Sequence, residues 1–142
     1  MDEEKLNRLP ADVKKQFVKL AEKLTEKKQK TKVHDDFLTF VKHVWPEFIE
    51  GAHHKKIAEK FNDIANKKIK RLIINMPPRH TKSEFASFLL PAWMVGRRPN
   101  LKIIQSTHTT ELAIRFGRKA KTLMDSQEYK EVFDTRLRED SQ

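Results

Sequence analysis

The stretch Arg71-Leu72-Ile73-Ile74-Asn75-Met76-Pro77-Pro78-Arg79-His80-Thr81-Lys82-Ser83 decides how this chain is read. Arg71 to Asn75 is a short apolar run rich in β-branched residues, and it suits a strand buried on both faces. Pro77 and Pro78 forbid its continuation as a paired strand. From Lys82 the pattern turns helical, with Phe85, Phe88 and Leu89 apolar and Pro91 placed to kink the helix before Gly96 and Pro99-Asn100 end it. Strand, short loop, Lys-Ser, helix is the order a phosphate loop needs. Backbone N–H groups at a helix N-terminus converge on an anion, a lysine adds charge near the β- and γ-phosphates, and a Ser or Thr hydroxyl ligates Mg²⁺. Here Lys82 is the phosphate partner, Ser83 the Mg²⁺ ligand, and the amides of residues 80–84 the cradle.

The usual pattern is G-x-x-x-x-G-K-[ST], and Met76 and Thr81 stand where its glycines would be. Glycine suits a backbone that approaches phosphate closely or takes positive φ, and threonine is among the poorest substitutes. On spacing alone a capped, solvent-facing helix end is the more usual reading of Lys82-Ser83.

Downstream, Leu101-Lys102-Ile103-Ile104-Gln105-Ser106 is a second expected strand. Thr109 can cap a helix whose apolar face is Leu112, Ala113, Phe116, Ala120, Leu123 and Met124. The order from residue 70 is then βαβα, which implies a parallel sheet covered by helices. Upstream, Asp35 and Asp36 open a short helix that buries Phe37, Phe40, Val41 and Val44 and closes at Trp45-Pro46. Another runs from about Ala52 to Asn66, with Ile57, Phe61, Ile64 and Ala65 inward. The first 32 or so residues read as a charged amphipathic helix from Pro10, with Leu6, Leu9, Val13, Phe17, Leu20 and Leu24 in a narrow stripe packed lightly on the rest. The Lys27-Lys28-Gln29-Lys30 run is expected to end it as a linker.

The 142 residues suffice for one modest domain, and 37% apolar with 35% charged residues points to extensive solvated surface. Lysine and arginine outnumber aspartate and glutamate by 30 to 20, a formal charge of +10 that favours polyanionic partners. The absence of cysteine excludes disulfides, thiolate metal sites and cysteine nucleophiles. No apolar run approaches the roughly 20 residues that span a bilayer, and Met1-Asp2-Glu3-Glu4 is not a secretory signal. The expectation is a soluble intracellular protein without a membrane partner.

Several separately placed motifs resemble the large terminase subunit of tailed bacteriophages. They are the Pro77-Pro78-Arg79-His80-Thr81-Lys82-Ser83 loop after an apolar strand, Pro91-Ala92-Trp93 closing the next helix, and Ser106-Thr107-His108-Thr109 after the second strand. The similarity extends upstream through His53-His54 and Phe48 to about Phe37 and covers most of the chain. The resemblance implies an α/β fold, a P-loop NTPase core of the additional-strand type: a partial parallel sheet flanked by helices, with an N-terminal helical extension. Residues 1–32 would be the extension, 33–68 a helical lead-in and 69–142 the first part of a truncated ATPase domain.

The family is an ATP-driven motor that pumps viral duplex DNA into a procapsid and carries a downstream nuclease. By resemblance the cofactors are ATP and Mg²⁺. The partners are viral double-stranded DNA, the portal protein, the small terminase subunit and further copies in a homo-oligomeric ring, all in the host cytoplasm. Arg79 and Lys82 would be catalytic. Arg79, His80, Thr81, Lys82, Ser83 and Glu84 would bind nucleotide, and Ser83 would hold Mg²⁺. Arg79 matches an arginine that stabilises the γ-phosphate in cis, a role with an independent rationale because a guanidinium stabilises charge spread over phosphate oxygens. Its alternative is a surface arginine paired with Glu84.

His53 and His54 read as packed or exposed structural histidines, or as a helix cap or adenine-pocket lining. His108 reads as a relay at a strand end or as part of a cap, and Trp45 and Trp93 as core anchors. Arg115, Arg118, Lys119 and Lys121 could track DNA phosphates or form a solvated face. Two strands cannot complete a sheet, and Arg138 to Gln142 is polar. The chain is therefore expected to be the N-terminal part of something longer, binding nucleotide weakly and without appreciable turnover. The alternatives are a helicase-like ATPase and a non-enzymatic basic nucleic-acid-binding module.

Overall fold

The structure, a computed structural model, describes residues 10–135. Leu6 and Leu9 of the expected stripe, and the polar Arg138–Gln142 end, lie outside the described residues. Two compact units divide the chain, residues 1–31 and 32–142.

The first unit holds most of helix α1, Ala11–Asp35. The helix starts one residue after Pro10, whose carbonyl accepts the Lys14 N–H at 3.0 Å. Val13, Phe17, Leu20 and Leu24 are exposed. The helix does not end at the lysine run but continues through it to Asp35. Lys and Gln are good helix formers, and no Gly or Pro interrupts the segment.

The second unit is built around α2 (Phe37–Val44) and α3 (Ala52–Ala65). Asp36 caps α2 by accepting from the Thr39 N–H at 2.8 Å and the Thr39 hydroxyl at 2.7 Å. Its other carboxylate oxygen accepts from Asn62 Nδ2 at 2.8 Å, and Asn62 Oδ1 accepts the Phe37 N–H at 2.9 Å. One polar knot thus fixes the start of α2 against α3. Helix α3 ends in a Schellman turn: Lys68 N–H reaches Asp63 O at 2.8 Å and Lys67 N–H reaches Ile64 O at 2.9 Å. Lys67 occupies the left-handed position at φ 61°.

A helical rod follows, beginning as α4 (Lys82–Glu84), passing through a π turn (Phe85–Leu89) and continuing as α5 (Leu90–Arg97). Pro91 cannot donate a backbone hydrogen bond. The rod accommodates it by the widened turn just before it, where Leu90 N–H bonds to Phe85 O, and not by a break. The rod buries Phe85, Leu89, Ala92 and Trp93. Phe37 sits edge-on to Phe61, Phe85 and Trp93 at 5.1, 5.4 and 5.4 Å, so one ring ties α2, α3 and the rod together. Trp93 and Tyr129 are anchored core residues: the Trp93 indole donates to His34 O at 3.1 Å and the Tyr129 hydroxyl to Ala92 O at 2.8 Å. Burial pushes the Tyr129 phenol up to about 12. Helices α6 (Thr110–Asp125, capped by Thr109) and α7 (Gln127–Val132) close this side of the core through Met124 and Tyr129.

The α/β fold with a parallel sheet is not what forms. Among the described residues there is no strand and no bridge, and every regular element is helical. Residues 71–76 do alternate: Leu72, Ile74 and Met76 pack against the core, while Arg71, Asn75 and Ile73, the last 87% exposed, face outward. That is one buried face, not the two a parallel-sheet strand requires. Residues 102–106 are all exposed, with Ile104 at 97%. β-branched composition favours extended backbone, but a strand exists only through its ladder. These two segments do not supply one for each other. Among the described residues no helix is long and apolar enough to cross a membrane.

Candidate functional site

The loop between residue 76 and the rod carries two non-glycine residues at positive φ, Arg79 at 66° and Thr81 at 56°. A β-branched residue there is a genuine outlier, costing about 1–2 kcal/mol, so it persists only where its surroundings hold it. Thr81 stands at the second glycine of the usual loop, and its backbone (φ 56°, ψ 9°) is the left-handed one a glycine would adopt.

Thr81 precedes the rod without capping it. Among the described residues no side chain accepts a hydrogen bond from the rod's first amides, and the first backbone bond is Phe85 N–H to Thr81 O at 3.0 Å. The Lys82, Ser83 and Glu84 N–H groups are the orphan donors every helix start presents. The alternative reading, a capped helix end, therefore lacks its cap.

A hollow of about 170 Å³ is lined, among the described residues, by residues 77–84. Small-molecule pockets run to about 300–1,000 Å³, so this one suits a phosphate group and not a whole nucleotide. Lys82 folds across the loop, its Nζ donating to Met76 O at 3.4 Å. Arg79 and Ser83 are exposed, and neither side chain has a hydrogen-bond or ion-pair partner among the described residues. His80 is exposed and held at the loop edge by its Nδ1 contact to Pro78 O at 2.9 Å.

Glu84 does not pair with Arg79. Its carboxylate takes the Lys119 ammonium at 2.7 and 2.8 Å, and that ammonium also lies 5.1 Å from the Phe88 ring centroid. Lys119 is thus a tether between α6 and the rod. It also satisfies the one carboxylate that lines the hollow, so the loop keeps its positive character. No cluster of three or more His, Asp or Glu suited to a metal ion occurs among the described residues. A hard cation at Ser83 would have to be shared with phosphate oxygens.

Helix α3 supports the loop from below. His54, its third residue, is 6% exposed and forms a cluster with the rings of Phe48 and Phe85, whose centroids lie 4.8 and 5.1 Å from its own and 5.5 Å from each other. Gly51 N–H donates to His54 Nδ1 at 2.8 Å. An amide can only donate, so Nδ1 is the acceptor and Nε2 carries the hydrogen. Nε2–H then donates to Thr81 Oγ1 at 2.6 Å, and the Thr81 hydroxyl donates to His80 O at 2.7 Å. The neutral imidazole is favoured: burial first, then the neighbouring His53 and His80, hold His54 below its ordinary 6.5 against the opposing pull of Glu50. A Cβ at Gly51 would lie 2.9 Å from His53 Cε1 and 3.4 Å from His54 Nδ1, so a side chain there would displace the His53 ring.

His53 does not share this role. It lines a separate cleft of about 270 Å³ with Lys56, Ile57, Lys60 and residues 72–76. His108 is exposed and does not line the loop hollow. Of the basic residues on α6, Arg115, Arg118 and Lys119 border a groove of about 790 Å³ that Glu111 and Glu128 also line. The groove is therefore of mixed charge and not a basic track. Sequence reasoning missed two links, His54 to Thr81 and Lys119 to Glu84, which join residues 27 and 35 positions apart. No local spacing announces contacts of that range.

Compared with protein-family models, with curated proteins and with solved structures, the chain finds no match.

Proposed function

We propose that the 77–84 loop binds the phosphates of ATP, and that the chain is the nucleotide-binding part of a DNA-packaging motor of the terminase large-subunit kind, working with Mg²⁺ and duplex DNA. The observation that carries the nucleotide reading is the uncapped start of the rod, entered through left-handed Thr81 with Lys82 folded over the loop. Orphan amides, a helix N-terminus and an unneutralised lysine are the elements of an anion cradle. They act locally and need no sheet around them. The motor reading rests on the motif likenesses and on the +10 charge, which suits a polyanionic track.

In this proposal the 80–84 amides and Lys82 hold the β- and γ-phosphates. Ser83 would hold Mg²⁺ beside them, and Arg79, which has no partner to surrender among the described residues, would reach the γ-phosphate. Bound Mg²⁺ supplies neutralisation of phosphate charge. The loop offers no unpaired carboxylate to orient a water, because Glu84 is held by Lys119. The chain is accordingly expected to bind ATP without appreciable turnover.

The test is a titration of the full chain with Mg²⁺ and a fluorescent ATP analogue, wild type beside Lys82→Ala. Losing a charge-assisted contact is expected to weaken binding by about tenfold or more. Equal affinity of the two proteins, or no binding by wild type, overturns the phosphate reading. Turnover abolished by Lys82→Ala would instead overturn the expectation of an inactive site.

A further inference from the structure

We infer that His54 is a positioning residue for the phosphate loop, and, resting on the nucleotide reading above, that its hydrogen bond to Thr81 does the work that glycine does in such loops. Residue 81 must be left-handed for the rod to begin where it does, with Lys82, Ser83 and Glu84 presenting their amides together. Glycine reaches that conformation without steric cost, and threonine does not. Something outside the loop has to hold it.

The chain of donors supplies the restraint and gives it a direction. Gly51 N–H fixes His54 Nδ1 as acceptor, His54 Nε2–H is thereby aimed at Thr81 Oγ1, and the Thr81 hydroxyl closes on His80 O. Phe48 and Phe85, whose rings lie 5.5 Å from each other, both pack against the imidazole, and Phe85 belongs to the same rod. The ring is thus fixed relative to the helix whose start it sets. The threonine that forfeits glycine's freedom brings the hydroxyl through which the loop is held, so histidine and threonine act as a pair.

The experiment is a double-mutant cycle on the full chain: wild type, His54→Asn, Thr81→Gly and the double variant, titrated with Mg²⁺ and a fluorescent ATP analogue. Asn keeps an acceptor for Gly51 N–H but is too short to reach Thr81. His54→Gln, whose amide nitrogen can stand in for Nε2, is the conservative variant. His54→Asn is expected to weaken binding about tenfold with Thr81 present and by less than about twofold in the Thr81→Gly background, with His54→Gln between. Equal losses in both backgrounds would show that His54 acts through packing or touches nucleotide itself, and would overturn the inference, as would no loss at all.

A second readout needs no nucleotide. The one-bond Cα–Hα coupling of Thr81, which is smaller at positive φ, should be small in wild type and rise in His54→Asn as the residue relaxes to negative φ. A Thr81 that stays left-handed without His54 refutes the positioning role. A wild type that shows the small coupling and binds no ATP sinks the phosphate reading alone.

Discussion

Lys67 and Thr81 occupy nearly the same backbone conformation, at φ 61° and 56°, for different reasons, and replacing each by glycine separates those reasons. Lys67 is the left-handed residue of the turn after α3. Its side chain is exposed and has no partner among the described residues, and its structural role is carried by the backbone bonds of residues 67 and 68. Glycine there relieves about 1–2 kcal/mol of steric cost and adds about 0.5–1 kcal/mol of unfolded-state entropy. Lys67→Gly should therefore stabilise by ~0.5–1 kcal/mol, or about 2–5 °C in Tm. Thr81→Gly relieves the same strain but removes the acceptor of His54 Nε2–H, which is then left buried and unsatisfied at about 1–3 kcal/mol. It should be neutral or destabilising. Urea denaturation followed by tryptophan fluorescence suits the comparison, since both tryptophans, Trp45 and Trp93, lie in the second unit. The midpoint should shift for Lys67→Gly with an unchanged slope. Equal stabilisation by the two glycines would mean that the His54–Thr81 bond contributes nothing.

Two further outcomes test the frame around the loop. Asp36→Ala removes the α2 cap and leaves Asn62 Nδ2 without its acceptor, at an expected ~1–3 kcal/mol by denaturation. Although burial pushes the Asp36 carboxyl up, the bonds from Thr39 and Asn62 and the charge of Lys42 outweigh it and hold it below its ordinary 3.8. Its stabilisation is then complete above that value and lost as pH falls through the lower folded one, so Asp36→Asn should flatten the acid limb of the stability curve. Gly96→Ala places a Cβ 2.6 Å from Phe133 Cγ and 2.7 Å from Tyr129 Oη, forcing α5 and α7 apart. It should cost about 1–3 kcal/mol, and a neutral result would show that this contact yields.

What was legible in the sequence was what neighbours in sequence decide. Asp36 followed by Phe37, Phe40, Val41 and Val44 marks a cap and a buried face within one window, and α2 runs from Phe37 to Val44. Thr109 caps α6 for the same reason, and α3 ends within a residue of its expected limit. That the two expected strands do not form was not legible, because no window contains a strand's partner. Ile73, Ile74, Ile103 and Ile104 report a preference for extended chain, and that preference says nothing about whether a ladder exists to receive it. Within the loop, the order of residues was plain, while the conformation of Thr81 and its support from His54 were not. Thr81 reads as a substitution that damages the site until a histidine 27 residues earlier is seen to hold it.

The loop's chemistry follows from those supports more than from the fold around it. Helix α3 reaches it through His54 and sets the backbone at residue 81, and helix α6 reaches it through Lys119 and takes up the charge of Glu84. Free, that carboxylate would stand in the lining of the proposed anion site and repel what Lys82 would attract. Held by Lys119, it leaves the orphan amides and Lys82 as the local field. The same pairing removes the one acidic group that could polarise a water there. In the proposed phosphate site a single ion pair between two helices would thus favour holding a phosphate and disfavour splitting it, which is why binding and turnover are expected to part company in this chain.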